Sequence, residues 1–308
     1  MSVPITTELI RKIREKTGAG MMDCKTALVE VDGNFDEAVD WLRKKGLAAA
    51  AKKASRVAAD GLVCVAAKDD RSAVVLEVNS ETDFVAKNQK FQDFVLSVAK
   101  MAAESSLTDR DALLSASLNG TPLNDAATDL IAVLGENIDV RRVASVTVSE
   151  GIVAAYVHSA VAPGLGKIGV LVALESSGTS EILKEFGHKL AMHAAASSPF
   201  YLTIADVPTS VIDHEKEILR EQIAGSDRPP EVLEKMLEGR VRKFFEETVF
   251  VEQPYVMDNK KKVAAAVQEF AKELGAPVAL KAFVRFALGE GIEKTVSDFA
   301  EDVKVLMA

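Results

Sequence analysis

The 308-residue sequence has few cysteines and no surplus of positive charge, and both absences exclude classes of protein. Its two cysteines, Cys24 and Cys64, have no CxxC spacing, which excludes a disulfide framework and a cysteine zinc site. The formal net charge of −9 is opposite to the basic surplus with which proteins neutralise phosphates. We therefore expect no nucleic acid as the primary partner.

The sequence also lacks segments that direct a chain into a membrane. No basic stretch followed by an apolar core stands at the start, so no secretory signal is predicted. The longest uncharged run, residues 151–166, is shorter than the roughly 20 residues that span a bilayer, and it contains Pro163. We expect a cytoplasmic protein with reduced thiols and no membrane segment.

Motifs for nucleotide, metal or covalent chemistry are largely missing. The sequence has no GxxxxGK[ST] loop, no HExxH pair and no GxSxG turn. His188 and His193 are five residues apart on a predicted helix, a spacing that does not place both rings on one face. We predict no catalytic residue, no metal site, no cofactor and no direct binding of a nucleotide.

One motif, GLGKIG at residues 164–169, matches the GxGxxG pattern of dinucleotide-binding proteins. Such a site needs a helix directly after the glycines, because the helix N-terminus binds the pyrophosphate. Here residues 170–174, VLVAL, predict a strand instead. Turn glycines in a hairpin are favoured, and a phosphate cradle in a nucleotide-cofactor enzyme is the alternative.

The first 46 residues predict three short helices with their own core. Thr6 is placed to cap the first helix, and Gly18 is placed to end it. Asn34, followed three residues later by a glutamate, predicts a capping box before the third helix. We expect this helix to end at Gly46.

Residues 47–59 form the predicted connection to the next module. They are rich in alanine and lysine and contain neither glycine nor proline, which favours a helical linker. The basic side chains of residues 44–56 fit a solvated helix face, or a contact with RNA or an acidic partner.

Two stretches change from helical to strand periodicity and share one layout. Their strands and helices are predicted at residues 61–67, 72–78 and 88–104, and again at residues 151–159, 167–175 and 181–196. We infer two related β-hairpin-plus-helix units, a weak internal repeat. They predict one core subdomain at residues 60–147 and another that combines residues 148–200 with 249–288.

The remaining segments complete an α+β multidomain fold. Residues 201–248 predict an antiparallel helical hairpin that projects from the core, with its turn at residues 225–230. Residues 249–255 and 279–288 predict strands that rejoin the sheet. A last helix is predicted within residues 289–308.

Three strings along the chain resemble known family signatures. They are TGAGMMDCK at residues 17–25, EVNSETDFVAKN at residues 77–88 and RFALGEGIEK at residues 285–294. In this order they resemble the elongation factor Ts family. The resemblance implies a ubiquitin-associated-like three-helix domain, two related α+β subdomains, a protruding coiled coil and a C-terminal helix, in agreement with the predicted modules.

The family's function is guanine-nucleotide exchange on elongation factor Tu, without covalent chemistry. The resemblance therefore implies binding to elongation factor Tu in its GDP-bound and nucleotide-free forms, dislodging of Mg²⁺ and release of GDP. It also implies that the chain can form a homodimer or a 2:2 complex. An adaptor that binds partners without speeding exchange is a further alternative.

The resemblance also assigns site residues. The Mg²⁺-dislodging loop comprises Thr82, Asp83, Phe84 and Val85. Other partner-binding positions are Gly18, Ala19, Gly20, Met21, Met22, His158, Gly166 and Phe299. Composition alone would make Phe84 a core residue at the start of a helix, whereas the resemblance makes it an exposed apolar wedge. The loop at residues 159–167 is longer than is usual in the family, and we expect it to be an accessory to His158.

Overall fold

The structure, a computed structural model, describes residues 4–178, 180–223 and 229–293. The helices are α1 Thr7–Thr17, α2 Met21–Glu30, α3 Phe35–Lys53, α4 Asp83–Ala86, α5 Gln89–Ser105, α6 Arg110–Ser115, α7 Leu123–Leu134, α8 Ser180–Ser197, α9 Thr209–Ile223, α10 Pro230–Thr248 and α11 Val263–Leu274. The strands are β1 Asp60–Asp69, β2 Ser72–Ser80, β3 Ser117–Leu118, β4 Thr121–Pro122, β5 Ile138–Thr147, β6 Ile152–His158, β7 Leu165–Gly166, β8 Ile168–Glu175, β9 Pro254–Tyr255, β10 Asp258–Lys262 and β11 Ala279–Ala287. No helix within these residues is long and apolar enough to cross a membrane.

The three N-terminal helices enclose a small core of their own. The Thr6 side chain accepts a hydrogen bond from the Leu9 N–H, and Gly18 ends α1 in a left-handed conformation, as the sequence predicts. Asn34 caps α3 through its side-chain oxygen. The buried side chains of this core are Ile13, Cys24, Ala27, Leu28, Ala38 and Leu42.

Helix α3 continues past Gly46 to Lys53, so the predicted end at Gly46 is wrong. A Cβ atom at position 46 would lie 3.0 Å from the Cβ atom of Ala132 on α7. The glycine therefore allows two helices to approach closely and does not terminate one. An ion pair of 3.1 Å between Arg43 and Asp125 joins the same two helices. The expected boundary between the first module and its helical linker lies inside one continuous helix.

The first core unit is an antiparallel sheet with the strand order β5-β2-β1-β7. Helix α5 covers one face of the sheet and buries Phe91, Phe94, Val95, Val98, Ala99 and Ala102 against it. The second unit is an antiparallel sheet with the order β11-β8-β6, covered by α8. Each sheet thus has one face closed by a helix.

The two units repeat the same topology. In each unit a hairpin is followed by a helix and then by a third strand that pairs with the second: β5-β2-β1 matches β11-β8-β6. An equivalent glycine also stands at the start of the first strand of each hairpin: Gly61 lies within β1, and Gly151 directly precedes β6. Gly61 and Gly151 have φ values of 125° and 106°, and a Cβ atom at either would lie 2.2 or 2.1 Å from the carbonyl oxygen of Val78 or Leu174. No other residue type fits so close to a neighbouring strand.

The open faces of the two sheets pack against each other. The first sheet contributes Val63, Ala73, Val75 and Val146, and the second contributes Val153, Leu171, Ala173 and Phe286. The core therefore has four layers, in the order helix, sheet, sheet, helix. The ends of its strands form rims on which loops can carry exposed residues.

The segment after α10 differs from its prediction. Residues 249–255 were expected to form a strand of the main sheet, but Phe250–Glu252 form a 3₁₀ turn and β9 pairs only with β10. Phe250 is fully buried against the His193 ring, 5.4 Å between ring centres, so packing onto α8 determines the local backbone. Strand β11 joins β8 as predicted.

Helices α9 and α10 occupy the positions predicted for the helical hairpin. The first part of its predicted turn, residues 225–228, lies outside the described residues, as do Phe299 and nearly all of the predicted last helix.

Candidate functional site

The loop between β2 and α5 displays a large apolar side chain to solvent. Within the single turn of α4, Val85 and Ala86 are buried in the core of the first sheet, whereas Phe84 is 78% exposed. Consecutive helical residues point about 100° apart, so burying two of them directs the third outward. The expectation from composition, that Phe84 is a core residue, is wrong.

A second loop, at residues 136–137, braces the start of α4. The Glu136 carboxylate accepts hydrogen bonds from the Thr82 N–H, at 3.0 Å, and from the Thr82 hydroxyl, at 2.6 Å. In the reverse direction the Glu81 carboxylate accepts a hydrogen bond of 2.6 Å from the Asn137 N–H. The loop that carries Phe84 is therefore held at its base by side chains as well as by burial.

Charged neighbours flank Phe84. Asp83 and Lys87 form an ion pair of 2.6 Å across one helical turn, and the Lys87 ammonium lies 5.7 Å from the centre of the Phe84 ring. The hydrogen bond from Lys87 lowers the pKa of Asp83 below its usual range. The exposed ring is thus framed by a fixed pair of opposite charges.

His158 ends β6 and is exposed. The Tyr156 hydroxyl lies 3.1 Å from His158 Nδ1, in hydrogen-bonding contact. The Tyr156 ring in turn meets the edge of His188, whose Nδ1 is 3.1 Å from the Ala155 carbonyl oxygen. Tyr156 therefore orients the His158 ring from one side, and Nε2 has no hydrogen-bond partner within the part of the chain that the structure describes.

The loop at residues 159–167 is not an accessory of His158, contrary to expectation. Its residues Leu165 and Gly166 form β7, which pairs with β1 of the first sheet. Leu165 is fully buried in the core of that sheet. Gly166 is buried too, since a Cβ atom there would lie 2.5 Å from Val157 Cγ1. The loop from the second unit thus completes the first.

The GxGxxG pattern in this loop does not have the context of a dinucleotide site. Its glycines lead into strand β8, as the sequence favours, and not into a helix. Gly169 lies within β8, where a Cβ atom would lie 2.7 Å from Val63 Cγ1. These glycines allow close packing between the two sheets.

Lys167 connects the Phe84 loop with the end of β6. Its N–H donates to the His158 carbonyl oxygen at 3.0 Å, and its ammonium is 3.7 Å from the Asp60 carboxylate. Asp60 pairs with Ser80, the last residue of β2, directly before the loop. The positive charge of Lys167 also contributes to the lowered pKa of Asp83. His158 and the Phe84 loop therefore lie at the same rim of the core.

The turn between α1 and α2 also lies near α5. A Cβ atom at Gly18 would be 3.3 Å from Lys90 Nζ on α5 and 3.3 Å from Val133 Cγ2 on α7. Beyond this turn Met21 and Met22 are exposed, Met22 to 71%. Ala19 packs against the small N-terminal core. Gly20, Met21 and Met22 are thus presented on the side of the molecule where α5 begins.

Comparisons with known proteins agree on one family. The family model described as Elongation factor TS matches residues 81–290. A protein named elongation factor Ts from Paramagnetospirillum magneticum is 54% identical over 301 residues, which cover 97% of this chain and 96% of that protein. Those from Rhodospirillum centenum and Brucella anthropi are 52% and 51% identical, each over 97% of both chains.

The chain belongs to the elongation factor Ts family. Its role is therefore the family's role, nucleotide exchange on elongation factor Tu in translation elongation. The family match begins at Glu81, directly before the Phe84 loop, and the full-length relatives extend over the α1–α2 turn as well.

Glu136 and Asn137 hold the candidate loop at its base, and no motif of this chain predicts them. They follow Gly135, which ends α7 in a left-handed conformation, and no local pattern marks them. Their hydrogen bonds to Glu81 and Thr82 bridge more than fifty positions of sequence, so only the folded chain brings them together. Within the described residues, no group of three histidine, cysteine, aspartate or glutamate side chains could hold a metal ion.

Proposed function

We propose that this chain speeds GDP release from elongation factor Tu by placing the Phe84 loop beside the Mg²⁺ that accompanies the bound nucleotide. The observation that carries the proposal is the exposed Phe84 ring on a single helical turn whose neighbours Val85 and Ala86 are buried. A rigid, projecting apolar group can enter a partner without first rearranging its own loop.

The mechanism is thermodynamic coupling. If the chain binds nucleotide-free elongation factor Tu more tightly than the GDP complex, GDP must bind the joint complex more weakly by the same factor. Mg²⁺ requires nearly octahedral oxygen ligands, so moving one of them by roughly 1 Å weakens the hold on the nucleotide. The chain's own residues supply only contacts, and no bond is made or broken.

Phe84 provides the driving force for insertion. Transfer of an exposed aromatic ring into an apolar pocket contributes on the order of 2–3 kcal/mol. Because Phe84 is 78% exposed in the free chain, most of this burial is still available on binding. The Asp83–Lys87 pair beside the ring can guide the loop by charge.

Further contacts around the same rim extend the proposed interface. Met21 and Met22 offer a flexible apolar surface on α2, and His158 offers one ring nitrogen at the end of β6. Gly166 is buried, so we assign it to positioning of the β7 loop, not to direct contact. Phe299 stays a prediction from the resemblance.

Several finer expectations belong to the same proposal. They are a ubiquitin-associated-like character of the N-terminal helices, projection of α9 and α10 as an antiparallel hairpin, a cytoplasmic location, no binding of nucleotide by the free chain, and a homodimer or 2:2 complex. Light scattering of the chain alone and mixed with elongation factor Tu measures the assembly directly.

The test uses elongation factor Tu loaded with fluorescent GDP, and measures release with and without this chain. Phe84→Ala should slow the stimulated release on the order of tenfold or more, since roughly 2 kcal/mol of burial is lost. Phe200→Ala is the matched control, because Phe200 is also a phenylalanine and is 72% exposed. Circular dichroism should show both variants folded.

Two outcomes would count against the proposal. Unchanged stimulated release with folded Phe84→Ala would remove the loop from the mechanism. Tight binding of the wild-type chain without faster GDP release would show an adaptor and not an exchange factor.

A further inference from the structure

We infer that Glu136 is a positioning residue for exchange, whose carboxylate fixes the direction in which the loop presents Phe84. The inference rests on the proposed function of that loop. Glu136 lies in a different segment, directly after α7, and the exposed Phe84 is two residues beyond the residue that Glu136 holds.

Both oxygens of Glu136 bind the same residue. Oε2 accepts from the Thr82 N–H at 3.0 Å, and Oε1 accepts from the Thr82 hydroxyl at 2.6 Å. Thr82 is the N-cap residue of α4, but its own side chain makes no capping hydrogen bond to the helix. The backbone and the side chain of the residue that starts the helical turn are thus fixed together from outside.

The brace is reciprocal. Glu81 Oε1 accepts from the Asn137 N–H at 2.6 Å, while the Glu81 carboxylate also lies 3.4 Å from Arg56. The side-chain amide of Asn137 donates to the Arg56 carbonyl oxygen at 2.8 Å. Asn137 is buried, so these bonds are shielded from water. Two neighbouring carboxylates therefore tie the Phe84 loop to the segment after α7 and to the segment after α3.

The brace does a different task from the apolar anchors of the loop. Val85 and Ala86 provide burial and keep α4 on the core. Burial turns Phe84 toward solvent, whereas the two bonds from Glu136 hold the residue at which α4 starts, and hydrogen bonds with a charged acceptor are the stronger kind. Loss of Glu136 should leave the core intact while Phe84 samples more directions, and binding would then have to order it again.

The experiment compares Glu136→Ala and Glu136→Gln in the fluorescent-GDP assay. Glu136→Ala should lower the maximal stimulated release about tenfold, as expected for lost hydrogen bonds to a charged group. Glu136→Gln should stay within about twofold of wild type, because its amide oxygen can accept from the Thr82 N–H and its amide can donate to the hydroxyl. Glu104→Ala, which removes an exposed glutamate on α5, is the control and should match wild type.

A double variant separates positioning from a merely structural role. In the Phe84→Ala background, Glu136→Ala should cause no further loss, because the side chain it directs is gone. An equal loss in both backgrounds would overturn the inference, and so would wild-type release by the single variant Glu136→Ala. If Phe84→Ala is slow while Glu136→Ala is not, this inference fails alone. If Phe84→Ala itself has no effect, the proposed function fails.

Discussion

The two core units share a topology, but they differ at the same point of it. In the first unit, β2 leads to α5 through residues 81–88, which include α4 and the exposed Phe84. In the second unit, β8 ends at Glu175 and α8 begins at Ser180, so the connection is half as long. There Gly178 packs directly against Leu274 of α11, since a Cβ atom at position 178 would lie 2.4 Å from that side chain. An enlarged connection in one copy of a repeat has room for function, while the other copy keeps the short turn.

The units also differ in what lies on their central strands. Glu77 on β2 is fully buried, and its carboxylate accepts from Arg141 at 2.9 Å, from Arg142 at 2.5 Å and from the Gly289 N–H at 2.8 Å. The equivalent position on β8, aligned through the two glycines Gly61 and Gly151, is Ala173. The buried Glu77 carboxylate therefore ties the first unit to the segment that follows β11 of the second unit, whereas Ala173 packs among apolar side chains between the two sheets.

The largest effect should follow from breaking the charge cluster. Glu77→Ala leaves Arg141 and Arg142 without their shared carboxylate, and should lower the free energy of unfolding by about 3–4 kcal/mol. Urea denaturation measures it. Glu185→Ala is the control, because its exposed carboxylate pairs with Lys189 on the surface at 2.7 Å and should contribute little to the free energy of unfolding. Equal effects of the two variants would show that burial of Glu77 does not distinguish the first unit.

The next effect concerns the loop at residues 159–167, whose strand β7 pairs with β1 of the first unit. Leu165→Ala should lower the free energy of unfolding by about 2–3 kcal/mol, since Leu165 is fully buried in the first core. Val161→Ala, on the same loop but 46% exposed, should change it by less than about 0.5 kcal/mol. Similar urea midpoints for both variants would show that β7 is not part of the first unit's core.

Much of the fold follows from local sequence signals. Thr6 and Gly18 bound α1 as predicted, and the alternation of apolar residues gives both hairpins. The failures involve distant partners. Gly46 resembles Gly18 in sequence but serves a contact with Ala132. Strand β5 is not predicted from the sequence, because a bulge opposite Glu77 and the adjacent arginines interrupt its alternation.

The candidate site likewise contains residues that the sequence predicts and residues that only the folded chain brings together. The resemblance predicts the loop at Thr82–Val85, and the structure gives the exposure of Phe84 without testing its role. The brace from Glu136 has no signal in sequence, because a glutamate after a helix-ending glycine is ordinary on any surface. Only the contact across 54 positions gives it meaning. Likewise, the resemblance includes Gly166, but burial of that residue becomes visible only once β7 pairs with β1.

A smaller, pH-dependent effect belongs to the second unit. His193 on α8 is buried, and its Nδ1 accepts from the Val256 N–H at 3.1 Å. Its Nε2 lies 3.0 Å from Gln253 Oε1. The Gln253 amide already donates to the Ser197 and Glu247 carbonyl oxygens, so Oε1 is left to accept the proton of Nε2. The neutral ring is satisfied on both sides, and burial lowers its pKa below 6.5.

Protonation should therefore weaken the second unit. Between the lowered pKa of the folded state and the unfolded value near 6.5, the unfolded chain binds more protons. The contribution of His193 is complete above pH 6.5 and declines as the pH falls through this window. Urea titrations at several pH values measure the slope. It should diminish in His193→Phe and persist in His214→Ala, which removes an exposed histidine of α9. An unchanged slope in His193→Phe would assign it to other groups.

The smallest effect tests whether the second unit shares in exchange at all. His158 lies at the rim where Lys167 joins the two units, and Tyr156 orients its ring. If Nε2 contacts the partner, His158→Ala should slow stimulated GDP release. The activation free energy should rise by about 0.5–1.5 kcal/mol, the usual net contribution of one hydrogen bond. The melting temperature should stay constant, since the ring is exposed and buries little surface.

His188→Ala is the matched control. The His188 ring also contacts Tyr156, but its Nδ1 lies against the Ala155 carbonyl oxygen. Tyr156→Phe is a further test, because it keeps the ring and removes only the hydroxyl that orients His158. Its defect in GDP release should be smaller than that of His158→Ala. If His158→Ala is silent while Phe84→Ala slows release, contact with elongation factor Tu at this rim is confined to the first unit. The second unit would then support exchange only through the buried β7 strand and the packing of its sheet against the first.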